Sequence, residues 1–275
     1  MVPRISVSSH RTRVEKLTPE AFAQFGDVIQ NAATHDGRPI GPRSVKANQG
    51  SATKWVDVTQ MKNFYHWSSS GKPASVKMNM FVCKPRQLEA TSGKEIFRVK
   101  ILERHPFTPQ TFVPMGLDSR DSDTAYLVIV APSKPAERQR TGSLHLSGLG
   151  LMPSRRRSLR ERYFGAGSNC SQCGQSSSSD EAGAGKAGTG LPDTDNIRAF
   201  IARGDQAVTY GAGTWHAPMV VLGKKPIEFV VVQFMNGVSD EDVQELELEN
   251  SSGGESQIEV EVDGLCPQGR PQAKL

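Results

Sequence analysis

Two short stretches of this chain carry side chains that can do chemistry. The first is Glu103-Arg-His105, followed five residues later by Gln110; the second is Gly211-Ala-Gly-Thr-Trp-His216. A carboxylate and an imidazole two residues apart project from the same face of a strand. The alternation Phe97-Arg-Val-Lys-Ile101 puts Phe97, Val99 and Ile101 on one face and carries Glu103 and His105 onto it, so polar groups continue an apolar stripe. An unpaired buried charge is costly, so Glu103 and His105 must meet each other, a cation, or a ligand in a cavity. After Pro106 the pattern resumes with Gln110 and Phe112, an amide beside an aromatic. In the second stretch Gly211 and Gly213 permit a tight turn, after which His216 is expected to share strand parity with Val220 and Leu222 and to face a pocket at a barrel mouth. His216 alone could equally be a hydrogen-bonded core residue. With Glu103, His105 and Gln110 it reads as one site, assembled from two regions about 100 residues apart. Trp215 reads as packing. His10, His35 and His145 lie in polar surroundings and read as solvated, while His66, between Tyr65 and Trp67, reads as covering an apolar edge.

The elements that must hold this site are mostly strands. Short β-branched or aromatic runs separated by Pro and Gly cover 76–83, 96–105, 110–114, 126–131, 197–201, 206–210, 219–222 and 227–236. Helix signals are few. Thr18 caps Pro19 to Phe25 with Gly26 as the stop, and Ser239 with Asp242 resembles a capping box. This spacing predicts an all-β sandwich or barrel with a few short helices.

Basic charge is concentrated in one place. Residues 134–190 hold nine Lys or Arg against four Asp or Glu, whereas the whole chain has a net charge of +4, so the remainder is close to neutral. That segment passes from an Arg cluster (Arg155 to Arg162) into a Ser/Gly tract and reads as a disordered insertion interrupting one domain. Without a recognisable binding module the cluster gives no reason to expect nucleic acid as a partner. No apolar run approaches the roughly 18 residues of a membrane span. Cys83, Cys170, Cys173 and Cys266 form no disulfide framework, which fits a reducing compartment.

Longer stretches carry a family resemblance. LTPEAFAQFGDVI (17–29), NQGSATK (48–54), MNMFVCKPR (78–86), LERHPFTPQTFVPMG (102–116), LPDTDNIRAFIARGDQAVTYGAGTWHAPM (191–219) and FVVVQF (229–234) together resemble the ureidoglycolate lyase family, formerly ureidoglycolate hydrolases, of the cupin superfamily, in its fungal form. The resemblance implies a cupin-like jelly-roll barrel. It divides the chain into a flexible N-terminus (1–14), one catalytic domain (15–133 and 191–248), the insertion (134–190) and a flexible C-terminal tail (249–275).

The resemblance also implies an activity, cleavage of ureidoglycolate to glyoxylate and urea in allantoin and purine catabolism. His216, Glu103 and His105 would be catalytic and Gln110 would bind the ureido group. Arg198, in the IRAF run, would either clamp a substrate carboxylate or form a structural ion pair. Glu103, His105 and His216 fall in the metal slots of the cupin pattern, with Gln110 in the fourth, so a divalent ion such as nickel (Ni2+) is a candidate cofactor. The rival functions are an amidohydrolase releasing ammonia from the same substrate, a cupin oxygenase or isomerase, and a non-catalytic cupin that binds a small acid. Cupin analogy suggests a homodimer. The compartment is expected to be the cytoplasm, or the peroxisome if Ala273-Lys274-Leu275 acts as a C-terminal address.

Overall fold

A computed structural model describes residues 2–32, 42–134 and 190–262. In chain order they form β1 (Arg4–Val7), β2 (His10–Lys16), α1 (Pro19–Phe22), β3 (Gly26–Gln30), β4 (Ser44–Ala47), β5 (Ala52–Trp55), β6 (Ser75–Cys83), β7 (Glu89–Thr91), β8 (Lys94–Arg98), β9 (Ile101–Arg104) and β10 (Gln110–Met115). There follow β11 (Ala125–Ala131), β12 (Arg198–Ala202), β13 (Gln206–Tyr210), β14 (Trp215–His216), β15 (Val220–Leu222), β16 (Ile227–Met235), α2 (Ser239–Asp242), β17 (Gln244–Asn250) and β18 (Ile258–Glu261). The large sheet runs β1-β17-β9-β14-β11-β12-β2-β18-β8-β7, with β15 also on β11; a five-stranded sheet runs β3-β13-β10-β16-β6; and β4 pairs, among the described residues, only with β5. The architecture is the all-β, cupin-like one with a few short helices.

The apolar run Tyr126 to Ala131 explains why β11 lies in the middle of the large sheet. Every residue of β11 is buried, as a strand covered on both faces requires. Tyr126, Val128 and Val130 join Phe22, Phe112, Phe200, Val208 and Phe229 in the barrel interior between the two sheets. Leu127, Ile129 and Ala131 face a second core with Val99, Leu102, Trp215, Leu246 and Ile258. At one end of the barrel α1 inserts Phe22, whose ring meets Phe200 edge-on at 5.6 Å. Thr18 Oγ1 accepts from Ala21 N at 3.2 Å, the cap expected for this helix.

Three expectations need correction. Residues 1–14 are not a loose terminus, because β1 pairs in parallel with β17 and β2 in parallel with both β12 and β18. The tail expected from 249 onward is likewise structured as far as Val262. Ile258, Val260 and Val262 are buried, and the alternating residues Glu259 and Glu261 form ion pairs with Arg11 and Arg13. The period-2 pattern Ile-Glu-Val-Glu-Val supplies the burial that holds β18, and with it β2, in the sheet. The capping box at Ser239 does not form either. Val238 occupies the cap position, and the Asp242 carboxylate instead accepts from the backbone N–H of Asn236 and Gly237, each at 2.8 Å.

Most of the insertion, 135–189, lies outside the described residues, as do the Arg cluster and residues 273–275. The described residues on either side of it are neighbours, since Lys134 N donates to Leu191 O and β11 is antiparallel to β12. The burial of Phe22 is open to direct test. Phe22→Ala is expected to lower stability by about 3–5 kcal/mol, the usual cost of truncating a fully buried phenylalanine. Urea unfolding followed by tryptophan fluorescence measures it, and a loss below about 1 kcal/mol would show that α1 does not seal the core.

Candidate active site

Glu103 and His216 meet because β9 and β14 are adjacent antiparallel strands with these two residues opposite each other. His105 follows directly on β9, and its carbonyl accepts from Gly213 N at 2.8 Å. The turn that carries His216 is thus fastened to the strand end that carries His105. Gly213, at φ +76°, is the residue that lets the turn close. Gln110 opens β10 opposite Tyr210, and its Nε2 donates to Gln233 Oε1 on β16 at 2.6 Å.

The structure therefore brings Glu103, His105, Gln110 and His216 to the inner face, but the strand parities differ from those expected. Phe97 and Val99 pack in the second core with Leu102, so the alternation breaks at Lys100 between β8 and β9. Glu103 and His105 share a face with Ile101 and not with Phe97 and Val99. A second break at Ala217 to Met219 sends Val220 and Leu222 to the second core, leaving Val221 and Met219 on the His216 side. Trp215 is packing, as expected: its Nε1 donates to Gly190 O and the Arg104 guanidinium lies 4.4 Å from its ring.

Both imidazoles have a defined tautomer. His105 Nδ1 lies 2.6 Å from Asp242 O, and His216 Nδ1 lies 2.9 Å from Thr214 O. A carbonyl only accepts, so each Nδ1 carries the hydrogen and each Nε2 presents a lone pair. Both Nε2 atoms are buried without a hydrogen-bond partner, and so is Gln110 Oε1. Glu103 Oε1 is 3.4 Å from His216 Nε2, and one donor atom from each of Glu103, His105 and His216 can be chosen so that all lie within 4.8 Å of one another. This is a pocket of acceptors.

Burial pushes the His105 pKa down, as does a charge on His216, and the opposing pull of Asp242 O, Glu103 and Gln110 leaves it at about 4. Burial alone would raise the Glu103 carboxyl, but His216 and then His105 offset this and hold it below its ordinary value. The phenol of Tyr210, fully buried, is pushed far above its usual range and stays neutral. Its ring stacks on His216 with centroids 4.0 Å apart.

The donor set suits a divalent cation. Imidazole Nε2 atoms whose Nδ1–H groups are held by carbonyls are the usual ligand arrangement, and Glu103 supplies negative charge. Arg198, in contrast, does not join the site. Its Nε and Nη2 bond both oxygens of Glu15 at 2.9 and 2.6 Å, its Nη1 donates to Ala21 O, and this pairing lowers the Glu15 pKa. The ion-pair alternative for Arg198 is the one observed.

Several residues of the site were not singled out by their sequence. Gln233 orients Gln110, Tyr210 supports His216, and Asp242 presents the carbonyl that orients His105. The Asp242 carboxylate is in turn fixed by Tyr65 Oη at 2.7 Å. Inward strand parity was the available signal for Tyr210; Asp242 acts through its backbone, which leaves no side-chain pattern.

The low proton affinity of His105 predicts a pH effect on stability. Between about pH 6.5 and pH 4 the unfolded chain protonates this residue while the folded chain does not, so stability falls with pH by up to about 3 kcal/mol from this group. Urea midpoints measured from pH 7 to 4.5 should fall less steeply in His105→Asn than in the wild type. Parallel curves would show that His105 is not held neutral by the fold.

Comparison with known proteins bears on what such a pocket serves. The ureidoglycolate lyase family model matches residues 9–253. A ureidoglycolate lyase of Schizosaccharomyces pombe is 32% identical over 230 residues, covering 84% of this chain and 87% of the relative. One from Saccharomyces cerevisiae is 30% identical over 248 residues, covering 88% and 94%. One from Burkholderia mallei is 27% identical over 219 residues, covering 80% and 79%. With a match that takes in the whole five-stranded sheet, all of the large sheet but β1 and β18, and every residue of the acceptor pocket, the chain belongs to the ureidoglycolate lyase family.

Proposed function

We propose that the chain is a carbon–nitrogen lyase that splits ureidoglycolate into glyoxylate and urea. The observation that carries this reading is the convergence of His105 Nε2, His216 Nε2, Glu103 and Gln110 Oε1 inside the barrel, in a chain of this family. The substrate is a carbinolamide. Its cleavage needs a base for the hydroxyl proton and an acid for the departing urea nitrogen, and it consumes no water.

His216 Nε2 is the first candidate for the base, because its lone pair faces Glu103, whose carboxylate stabilises the imidazolium that forms. As the C–N bond breaks and the hydroxyl oxygen becomes the carbonyl of glyoxylate, the same proton can pass to the urea nitrogen. Gln110 Oε1 accepts from the ureido N–H groups. Its Nε2 is already engaged by Gln233, so recognition by this side chain rests chiefly on its acceptor. In the alternative, Glu103, His105 and His216 would hold a divalent ion such as nickel; His216 Nε2 would then be a ligand and not the base, and the ion when bound supplies Lewis acidity that lowers the substrate hydroxyl pKa. We place the activity in the cytoplasm, with the peroxisome as the alternative that a fluorescent protein ending in the last twelve residues would decide.

Purified protein given racemic ureidoglycolate should release urea and glyoxylate in equal amounts. Release of ammonia in place of urea would favour the amidohydrolase reading. His216→Ala should lower kcat by at least ~100-fold with an unchanged circular dichroism spectrum, the scale of losing a positioned acid or base. A variant keeping more than half the wild-type rate would remove His216 from the mechanism. Glu103→Gln should weaken binding of Ni2+ by at least ~10-fold in calorimetric titration of metal-stripped protein. Equal affinities, together with a wild-type rate insensitive to chelator, would leave the residues as a metal-free proton relay.

A further inference from the structure

Arg104 is the only buried Lys or Arg among the described residues, at 9% exposure. Its neighbours Glu103 and His105 face the acceptor pocket, so the guanidinium projects from the opposite side of β9, beside Gln244 on β17. Its Nε donates to Gln244 Oε1 at 2.8 Å and its Nη1 to Gly190 O at 2.9 Å, and it lies over the Trp215 ring. All three partners are neutral. Among the described residues no carboxylate forms an ion pair with Arg104, and its Nη2 makes no hydrogen bond. Arg98 and Arg198, both more exposed, each take both oxygens of a glutamate. A charge removed from water and left without a counter-charge is costly, so Arg104 is the cation in this chain that calls for an anionic partner.

Arg104 and Trp215 form one wall of a cavity of ≈ 540 Å³ that opens to solvent. This is within the ~300–1,000 Å³ of small-molecule sites. None of Glu103, His105, Gln110 and His216 lines it, so it is separate from the acceptor pocket. Leu191, Val243 and Leu246 give it an apolar side, and the exposed Asp240 and Glu245 stand at its rim. A simple anion would meet Arg104 but be repelled by the two rim carboxylates, and a simple cation would meet the reverse. The pattern matches a molecule that carries a carboxylate, a protonated amine and a short hydrocarbon body.

We propose that this cavity binds a free amino acid, with its carboxylate on Arg104, its ammonium toward Asp240 and Glu245, and its side chain against Leu191, Val243 and Leu246. The carboxylate takes the Nη2 hydrogens in charge-assisted hydrogen bonds and supplies the counter-charge that the fold withholds. The site lies directly behind the chemistry. Arg104 sits between Glu103 and His105, and Trp215 immediately precedes His216, so an occupant rests on the reverse side of the two strands that hold the acceptor pocket. Binding here does not depend on the proposed reaction.

Calorimetric titration of the full chain with L-leucine and, separately, with γ-aminobutyrate, whose amine is farther from its carboxylate, should give a dissociation constant below ~1 mM for at least one of them. Isocaproate, which is leucine without its amine, and isopentylamine, which is leucine without its carboxylate, should each bind at least ~10-fold more weakly than the better amino acid. Arg104→Met should weaken that amino acid at least ~10-fold, with circular dichroism confirming the fold, since Met leaves the Gln244 amide oxygen without its donor. Asp240→Asn combined with Glu245→Gln changes only exposed side chains and should bring the affinity down to that of isocaproate. The proposal is overturned if neither amino acid binds, whether the cavity is empty or filled by a segment of this chain outside the described residues. It is equally overturned if isocaproate binds as tightly as the amino acid. An affinity unchanged in the rim double variant, or in a folded Arg104→Met, would place the binding elsewhere and overturn it too.

Discussion

The functional pocket is defined by a shortage of protons. Two imidazole lone pairs, a carboxylate and an amide oxygen converge in a buried space, and among the described residues no hydrogen-bond donor answers the two Nε2 atoms or the amide oxygen. Lone pairs facing one another in low dielectric repel, and the arrangement persists only if a positive centre resolves it or the surrounding fold enforces it. A proton shared by His216 and Glu103 and a divalent ion are the two chemical solutions. Both suit a reaction whose central event is the movement of one proton from a hydroxyl to a nitrogen.

Enforcement comes from the backbone. Asp242 O and Thr214 O take the Nδ1 hydrogens, which turns each Nε2 inward, and Gly213 N ties the His216 turn to the carbonyl of His105. Behind Asp242, its carboxylate collects Tyr65 Oη and the N–H groups of Asn236 and Gly237, so the loop before β17 is set by charge-assisted hydrogen bonds before its carbonyl meets His105. On the opposite side Gln233 fixes which way the Gln110 amide points. The barrel core of Phe22, Phe112, Phe200 and Phe229 packs the strands that carry these groups. Packing at interior density keeps them from relaxing apart.

The same sheet that contributes Gln110 and Gln233 to the pocket presents Met78, Met80 and Val82 to the outside. The inward facing of Gln110 and Gln233 and the outward facing of Met78, Met80 and Val82 are two consequences of one register. A slip of one residue would exchange them.

Much of the site was legible before the fold was known. Glu103, His105, Gln110 and His216 stand out by residue type and by the glycine turn, and the buried run 126–131 marks the central strand. The sequence also determined the all-β class, through β-branched runs broken by Pro and Gly. Yet the parity argument that led to these residues was broken at two points, Lys100 and Ala217 to Met219, because a local alternation cannot show where one strand ends and its successor begins with the opposite facing. Arg198 was undecided for a related reason: its partner Glu15 lies 183 residues away, on a terminal strand that packs in parallel against it. The tertiary structure alone decided that β1, β2 and β18 join the sheet, that Tyr210, Gln233 and Asp242 belong to the site, and that Met78, Met80 and Val82 on β6 face outward. Each of these depends on which distant strand lies alongside. Strand pairing is a choice among distant backbone edges, decided by total burial and not by the residues nearby in sequence.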